Sequence, residues 1–341
     1  MKFSKRHIVY LFIVVILAYF LSAYKLPYYI YKPGGADALN PIVEVEDGYK
    51  SKGDMHLVTV SGGQATPIQY LWAKVLSHHE ILPIEQVFPE GISRDEYMHA
   101  QLQVMENSQE SSTVVAYKAA DKDITIDFDG VYVVSVVEDM PADGKLQMGD
   151  RIIGIDGNEV KEADDLIGYV EKKRDMDTIS IEVVRDEKHF KKELTLETFS
   201  EAENKVGIGI RLVTDRSVSV DPEVNFSSGN IGGPSAGLMF SLEIYDQLTE
   251  KDLTGGHQIA GTGQIDYDGN VLRIGGIDKK IIAADKEGCD IFFAPNENGA
   301  KDSNYNLAKK TADEIGTDMK IIPVDTFDDA LNYLQKIELI K

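Results

Sequence analysis

The sequence has few cysteines and few basic residues for its length of 341. Cys289 is the only cysteine, which excludes an intrachain disulfide and a cysteine-rich metal site. There are 35 Lys and Arg against 57 Asp and Glu, which argues against a nucleic-acid-binding surface because phosphates are bound by clustered basic residues. A Gly-x4-Gly-Lys-Ser/Thr phosphate loop is also absent, so no ATP motor is expected. We expect neither a cofactor nor a metal.

Only one long apolar stretch is present, from Ile8 to Tyr24, and it contains no charged residue. Positive charges precede it at Lys2, Lys5 and Arg6. By the positive-inside rule these charges stay in the cytoplasm and the rest of the chain lies beyond the membrane. We therefore expect a single-pass cell-membrane protein with a short cytoplasmic N-terminus, residues 1–7, and an extracellular body.

A cleaved signal peptide is the alternative interpretation of this stretch. A small residue is expected two positions before Ala23, and Leu21 stands there instead. We therefore favour an uncleaved anchor over residues 8–30, in which Tyr28 and Tyr29 would lie at the membrane interface. The next segment, 31–42, contains a Lys-Pro-Gly-Gly sequence and is predicted to be a linker.

The remainder of the chain divides into three stretches by hydrophobic pattern. Residues 43–120 mix strand and helix patterns, residues 121–198 carry closely spaced apolar strands, and residues 199–341 return to a mixture. In the first stretch a helical pattern over 67–78 carries apolar residues at Ile68, Leu71, Trp72, Val75 and Leu76. Further helices are predicted over 93–111, 162–172, 235–248, 278–287, 304–315 and 326–335.

The most informative motif is Gly233-Pro234-Ser235-Ala236-Gly237, which follows a Gly-rich loop and begins a predicted helix. A serine in this position is exposed, and backbone N–H groups converge with the positive end of the helix on any oxyanion formed there. This setting suits a nucleophile. A serine that merely caps the helix is the alternative.

The same motif satisfies the Gly-x-Ser-x-Gly pattern of a nucleophile elbow, so a Ser–His–Asp esterase must be considered. An elbow follows a buried strand, whereas residues 225–233 are polar and Gly-rich. Such a triad also needs a histidine well downstream, and His257, the only histidine beyond Ser235, follows too closely. The esterase is therefore the weakest hypothesis.

A lysine base agrees better with the sequence. Gly275-Gly276-Ile277-Asp278-Lys279-Lys280 begins a predicted helix in which Lys280 lies among apolar neighbours. Burial lowers the pKa of a lysine, so that its neutral amine accepts the proton of a serine. A solvated surface lysine is the alternative for Lys280, and Lys279 is a competing base.

Taken together, these two stretches resemble the Lon-type serine peptidases. In that family a Gly-Pro-Ser-Ala-Gly segment holds the nucleophile, and a Gly-Gly-aliphatic-x-x-Lys segment holds the base. The resemblance implies that Ser235 is the nucleophile and Lys280 the general base, with supporting roles for Thr262, Gly233 and Ala236.

Two further stretches carry the same resemblance. Residues 261–265 resemble the Thr-Gly-Glu-Ile strand of the family, with Gln264 in place of Glu. Residues 271–274 resemble its Val-Leu-Pro-Ile segment, with Arg273 in place of Pro. The four matches occur in the order of the family, and neither departure affects the serine or the lysine.

Residues 121–198 resemble a PDZ domain. Asp129-Gly130 followed by Val131, Tyr132 and Val133 resembles its carboxylate-binding loop and first groove strand, and residues 146–157 resemble its central signature. The resemblance implies that Gly130, Val131, Tyr132 and Val133 bind an extended peptide by strand addition. A closed module that binds nothing is the alternative.

An anchor, a divided proteolytic domain and a PDZ-like insertion together resemble the SepM/YlbL group of membrane-anchored proteases. We therefore expect an α+β fold in which a Lon-type domain, residues 43–120 and 199–341, is interrupted by the PDZ-like domain at 121–198. The resemblance implies peptide or protein substrates outside the cell and assembly of a homo-oligomeric ring. The competing hypothesis is a catalytically silent, membrane-tethered PDZ adaptor.

Overall fold

The computed structural model describes residues 5–88, 94–199, 205–229 and 231–338. The chain forms two compact units, of which the larger combines Met1–Asp123 with Val220–Lys341 and the smaller spans Ile124–Ser219. Both units mix helices and strands, which confirms the α+β class.

The first part of the larger unit begins with a long apolar helix. Its elements are α1 (Lys5–Ala23), β1 (Tyr28–Ala38), β2 (Val43–Val45), β3 (Asp54–Gln64), α2 (Pro67–Ala73), β4 (Glu80–Pro83), α3 (Ile84–Val87) and α4 (Arg94–Ala119). α1 has 19 residues and a mean hydropathy of 2.0, which makes it long and apolar enough to cross a membrane. Thr66 begins α2 with a capping box that it shares with Gln69.

The segment predicted to be a linker is instead a strand. β1 runs antiparallel to β3 over most of its length, and at its start it also pairs with β4. Gly34 permits this pairing, because a Cβ there would lie 2.5 Å from the carbonyl oxygen of Thr59. The predicted end of the anchor is also wrong, since α1 ends at Ala23 and the ring of Tyr28 packs against Tyr70 at 4.9 Å.

The smaller unit is a strongly strand-rich module. Its elements are β5 (Asp123–Val136), β6 (Arg151–Ile155), β7 (Asn158–Glu159), α5 (Ala163–Val170), β8 (Thr178–Arg185), β9 (Lys188–Thr195), β10 (Glu197–Thr198), β11 (Val206–Gly207) and β12 (Ile210–Asp221). The main sheet has the order β12-β5-β6-β8-β9, with β7 beside β6. Because β12 returns to pair with β5, the predicted boundary at residue 198 lies too early.

The second part of the larger unit completes its central sheet. Its elements are β13 (Val224–Phe226), α6 (Gly237–Leu248), β14 (Gln258–Gly261), β15 (Gln264–Ile265), β16 (Val271–Leu272), α7 (Ile277–Glu287), β17 (Ile291–Pro295), a 3-10 turn (Glu297–Gly299), α8 (Asn304–Ile315), β18 (Lys320–Val324) and α9 (Phe327–Glu338). The sheet order is β18-β17-β14-β3-β1-β4. β14 lies parallel to β3, so strands from the two parts of the unit meet at the centre.

Two helices of this unit carry the sequence-predicted catalytic residues. α6 is almost wholly buried and packs against α4, and Ser235 lies in the turn directly before it. α7 begins after Gly276, whose φ of 70° belongs to the left-handed region that glycine favours, and it ends at Gly288. Lys280 lies in the first turn of α7, so both residues sit at helix N-termini.

Candidate active site

The loop before α6 is held by α4. The N–H of Gly233 donates to the carbonyl of Gln101 at 2.9 Å, and the hydroxyl of Ser108 donates to the carbonyl of Pro234 at 3.0 Å. Gly233 has a φ of 93°, which a residue with a side chain rarely adopts. These contacts tie the loop to α4, so the position of Ser235 depends on that helix. Gln101 and Ser108 were not predicted as site residues, because the sequence around them shows only a helical pattern.

The structure brings Ser235, Lys280 and Thr262 together. Nζ of Lys280 lies 2.6 Å from Oγ of Ser235 and donates to Oγ1 of Thr262 at 2.9 Å. The hydroxyl of Thr262 in turn donates to the carbonyl of Ser235 at 2.9 Å. Because that hydroxyl has a single proton, it can only accept from Lys280. Thr262 thus engages one N–H of the amine while Ser235 lies within reach of its lone pair.

Burial sets the protonation of this lysine. The side chain of Lys280 is enclosed by the core around α7, including Ile277 and Ile281. Its removal from water disfavours the charged form and lowers the pKa of Lys280 from the usual 10.5 to about 7. A useful fraction of the molecules therefore carries a neutral amine at physiological pH.

The neighbouring lysine has different partners. Nζ of Lys279 lies 3.0 Å from a carboxylate oxygen of Glu80 and 3.3 Å from Asp278, so it is held in ion pairs. Both lysines are buried, at 5% and 3% exposure, but the partners of Lys280 are hydroxyl groups. The geometry therefore favours Lys280 over Lys279 as the partner of Ser235.

Backbone N–H groups are available beside the serine. Pro234 has no N–H, and the N–H of Gly233 is already bonded to Gln101. The N–H groups of Ser235 and Ala236 donate to no acceptor in the part of the chain that the structure describes. They lie at the positive end of α6, where they can bind an oxyanion.

A cleft of about 880 Å³ leads to the serine and the lysine. It is lined by β1, β3, α4 and the loop before α6. Polar and aromatic residues of its wall are Tyr31, Lys32, Arg94, Tyr97 and Arg273. Arg273, which replaces the proline of the Lon-type pattern, also forms an ion pair of 2.8 Å with Glu297. The cleft has room for several residues of an extended peptide.

The residues predicted to bind a peptide in the smaller unit lie inside its sheet and not at an edge. Gly130 to Val133 are within β5, which has β12 on one side and β6 on the other and so offers no free edge for strand addition. The side chains of Val131 and Val133 are buried in the core of the unit. This segment is therefore structural, and the predicted groove position is corrected.

An apolar groove of about 450 Å³ lies between α5 and the segment 206–212. Among the described strands β12 pairs only with β5, so its other edge is free. The carbonyls of Ile208 and Gly209 accept from Ala142 and Val137, while their own N–H groups donate to no acceptor in the described residues. The Gly-Ile-Gly-Ile sequence at 207–210 was the available sequence signal for this groove.

Comparison with known families gives two matches within the chain. Residues 99–197 match the PDZ domain, and residues 213–336 match the Lon protease (S16) C-terminal proteolytic domain. The PDZ match begins inside α4 and ends before β12, so it is offset from the smaller compact unit, Ile124–Ser219.

Curated proteins that are similar to this chain include Lon proteases. That of Campylobacter jejuni is 35% identical over 130 residues, which are 35% of this chain and 16% of that protein. That of Campylobacter concisus is 43% identical over 99 residues, which are 29% of this chain and 11% of that protein. The chain thus spans less than a fifth of the length of either relative.

Solved structures similar to the chain include the PDZ domain of an SdrC-like protein from Listeria monocytogenes. It is 38% identical, with 25% of this chain and 90% of that chain covered and a TM-score of 0.24. A solution structure from Geobacillus thermodenitrificans is 39% identical, with coverage of 24% and 94% and a TM-score of 0.23. The two family matches and the Lon protease relatives support a serine peptidase that carries a PDZ domain together with the C-terminal proteolytic domain of the Lon proteases.

Proposed function

We propose that this protein is a membrane-anchored serine endopeptidase that works without ATP, with Ser235 as nucleophile and Lys280 as general base. One observation carries the proposal. Nζ of Lys280, with its pKa lowered to about 7, lies 2.6 Å from Oγ of Ser235. A neutral amine at this distance is placed to take the proton of the hydroxyl.

The first step is attack on a peptide carbonyl. Lys280 accepts the proton as Oγ of Ser235 forms a bond to the carbonyl carbon, and the carbonyl oxygen becomes an oxyanion. The N–H groups of Ser235 and Ala236 stabilise this charge. The C–N bond then breaks, and the ammonium of Lys280 returns its proton to the leaving amine. The products are a free amine and an ester on Ser235.

The second step hydrolyses the ester on Ser235 and regenerates the free enzyme. The again neutral Lys280 accepts a proton from water as that water attacks the ester carbonyl. Collapse of the second oxyanion breaks the bond to Oγ, which recovers a proton from Lys280. Thr262 orients the amine throughout, through the hydrogen bond of 2.9 Å. The cycle requires neither metal nor nucleotide.

We propose that α1 crosses the cell membrane and that the two compact units lie outside the cell. The basic residues before the apolar stretch, Lys5 and Arg6 among them, favour a cytoplasmic N-terminus. Protease added to intact cells should then degrade the body. A body that stays protected until the cells are opened would contradict this orientation.

We propose that the groove between α5 and residues 206–212 binds part of the substrate. Its free edge on β12 and the unbonded N–H groups of Ile208 and Gly209 are suited to an extended peptide and to a terminal carboxylate. Without a motor to unfold them, substrates are peptides and proteins that already present a flexible segment.

Purified Ser235→Ala protein tests the proposal. We expect it to cleave no peptide while remaining folded, and we expect Ser227→Ala, an exposed serine earlier in the same loop, to retain activity. ATP should leave the wild-type rate unchanged. Comparison of the secreted and membrane peptidomes of wild-type and Ser235→Ala cells then identifies substrates.

The adaptor hypothesis predicts a different result from the same experiment. In that case wild type and Ser235→Ala yield identical peptidomes, and peptides bind the groove without being cut. Cleavage by folded Ser235→Ala would instead show that another group is the nucleophile.

A further inference from the structure

The helix α2 exposes most of its apolar side chains. Leu71 and Trp72 are each 60% exposed and Val75 is 80% exposed, and Ile68 and Leu76 are also exposed. Hydrogen bonds from the N–H groups of Val75 and Leu76 to the carbonyl of Trp72 continue the helical turn beyond Ala73. The five side chains recur at helical spacing, so they share one face. A face of this kind is normally covered by something apolar.

This apolar face adjoins the end of α1. α1 contacts α2, and the chain between α1 and β1 is bound to the strand that leads into α2. The N–H of Leu26 donates to the carbonyl of Ala65 at 2.8 Å, and the side-chain amide of Gln64 donates to the carbonyl of Leu26 at 3.0 Å. α2 is therefore held at the point where the apolar helix enters the folded unit.

The polar and aromatic residues beside the apolar face of α2 are of the types that lie at a membrane interface. Nζ of Lys74 lies 4.7 Å from the centre of the Tyr70 ring, and Nζ of Lys25 donates to the carbonyl of Gln64. Trp and Tyr rings prefer the headgroup level, and lysines extend their amines toward lipid phosphates. In a chain with a net charge of -22, these two lysines stand beside the exposed apolar face of α2.

We propose that the apolar face of α2, formed by Ile68, Leu71, Trp72, Val75 and Leu76, lies in the lipid interface of the leaflet from which α1 emerges. The proposal rests on the proposed membrane insertion of α1. A short amphipathic helix in this position binds through its buried apolar side chains and adds a second attachment to the spanning helix.

Two attachments fix the height and orientation of the larger unit above the bilayer. β1 begins at Tyr28, directly after the α1 junction, and its residues Tyr29, Tyr31 and Gly35 line the catalytic cleft. At about 3.3 Å per residue, Gly35 lies on the order of 25 Å along the strand from Tyr28. The cleft is therefore membrane-proximal, and its substrates are flexible segments next to the bilayer, such as the stalks of anchored proteins.

Trp72 is the only tryptophan in the chain, so its fluorescence reports on this face alone. The full chain is reconstituted into phosphatidylcholine vesicles with or without lipids brominated near the headgroup end of their acyl chains. We expect a blue-shifted emission that brominated lipid quenches. Leu71→Glu should abolish the quenching, whereas Leu307→Glu, at another exposed leucine on α8, should leave it intact.

Carbonate extraction of the same vesicles reports separately on α1. A chain that resists extraction but has an unquenched Trp72 would overturn the α2 proposal and leave the anchor standing. A chain that carbonate removes, although its Trp72 was quenched, would overturn the anchor and support the α2 contact. Blue-shifted emission without quenching would show that protein covers the face, as in self-association, and would also overturn the proposal. Circular dichroism and cleavage of a soluble peptide check that each variant is folded.

Discussion

Two consecutive lysines at the start of α7 differ in the groups that surround their amines. Lys279 lies between the carboxylates of Glu80 and Asp278, whereas Lys280 contacts the hydroxyls of Ser235 and Thr262. Hydroxyl partners do not balance a positive charge as carboxylates do. Burial therefore acts on Lys280 with little opposition, and its amine becomes a base near neutral pH.

We expect Lys280→Arg to be as inactive as Lys280→Ala, because a guanidinium does not lose its proton in a protein. Lys279→Ala should retain most of the activity, since its amine has no contact with Ser235. Initial rates of peptide cleavage by the three purified variants provide the measurement. Near wild-type cleavage by Lys280→Arg, or an inactive Lys279→Ala, would show that the base is misassigned.

The rate of cleavage should rise with pH through a midpoint at about 7. The active form of Lys280 is the neutral one, which predominates above its lowered pKa of about 7. The profile of kcat/KM against pH reports this value for the free enzyme. Lys279→Ala should keep the same midpoint, and a midpoint near the unperturbed lysine value of about 10.4 would contradict burial as the cause.

Lys280→Met should be inactive but more stable than the wild type. The lowered pKa means that the unfolded chain holds the proton up to about pH 10.5, while the folded protein loses it at about 7. The wild type therefore loses stability as the pH falls from about 10.5 to about 7. At pH 7 the variant should gain about 2–4 kcal/mol in the free energy of unfolding. Urea denaturation at pH 7 and pH 9 should show a larger gain at pH 7, and a destabilised variant would contradict the prediction.

At the scale of elements, α4 holds the loop of the proposed nucleophile Ser235 from outside the Gly-Pro-Ser-Ala-Gly motif. The hydroxyl of Ser108 donates to the carbonyl of Pro234, whereas that of Ser111 donates within its own helix to Asn107. Both serines are buried, so they form a matched pair.

We expect Ser108→Ala to lower kcat by about 10-fold to 100-fold with little change in KM, because the loop before α6 loses a fixed contact. Ser111→Ala should leave kcat nearly unchanged. Steady-state kinetics on one peptide substrate distinguish the two variants. Equal effects would mean that α4 supports the fold rather than the position of Ser235.

Local patterns predicted most helices, and tertiary contacts explain the failures. The predicted helix over 304–315 matches α8, which Ser303 caps at its start and Gly316 at its end. α4 continues to Ala119 instead of ending at Ser111, because residues Ser111–Tyr117 are buried and the helix packs against α6. β1 was missed because only pairing with β3 makes a strand of a Pro-Gly-Gly sequence.

In the candidate site, too, local patterns predict some residues, whereas tertiary structure decides others. Ser235 and Lys280 could be predicted because their neighbours carry an ordered motif that a single sequence displays. The proposed peptide groove could not be predicted, since both Asp129-Gly130 and Gly207-Ile208-Gly209 precede apolar strands. Only the order of strands decides between them, because a groove needs a strand at the edge of its sheet and β5 lies inside it.

At the scale of the whole molecule, the proposed function assigns substrate selection to the smaller unit and bond cleavage to the larger one. Ile167 on α5 lines the groove and is 43% exposed, whereas Val213 on β12 is 42% exposed but does not line the groove. We expect Ile167→Glu to weaken binding of a natural substrate by about 10-fold or more, since an apolar contact becomes charged. Val213→Glu should bind as the wild type does.

Cleavage of a short peptide that reaches only the catalytic cleft should be equal in both variants. Calorimetric titration and initial rates provide the two measurements. Undiminished binding by Ile167→Glu would show that the groove has no part in substrate selection.

The parallel pairing of β3 with β14 also affects how the newly made protein behaves. Asp54 and Gln258, which are hydrogen-bonded neighbours in the sheet, are separated in the chain by the entire smaller unit. Contacts between such distant residues form late, after the intervening chain has been synthesised. Lys280 emerges later still, so a chain whose synthesis has reached a point between residues 235 and 280 holds the serine without its proposed base. The proposed peptidase activity therefore cannot appear before residue 280 has been synthesised and packed beside Ser235.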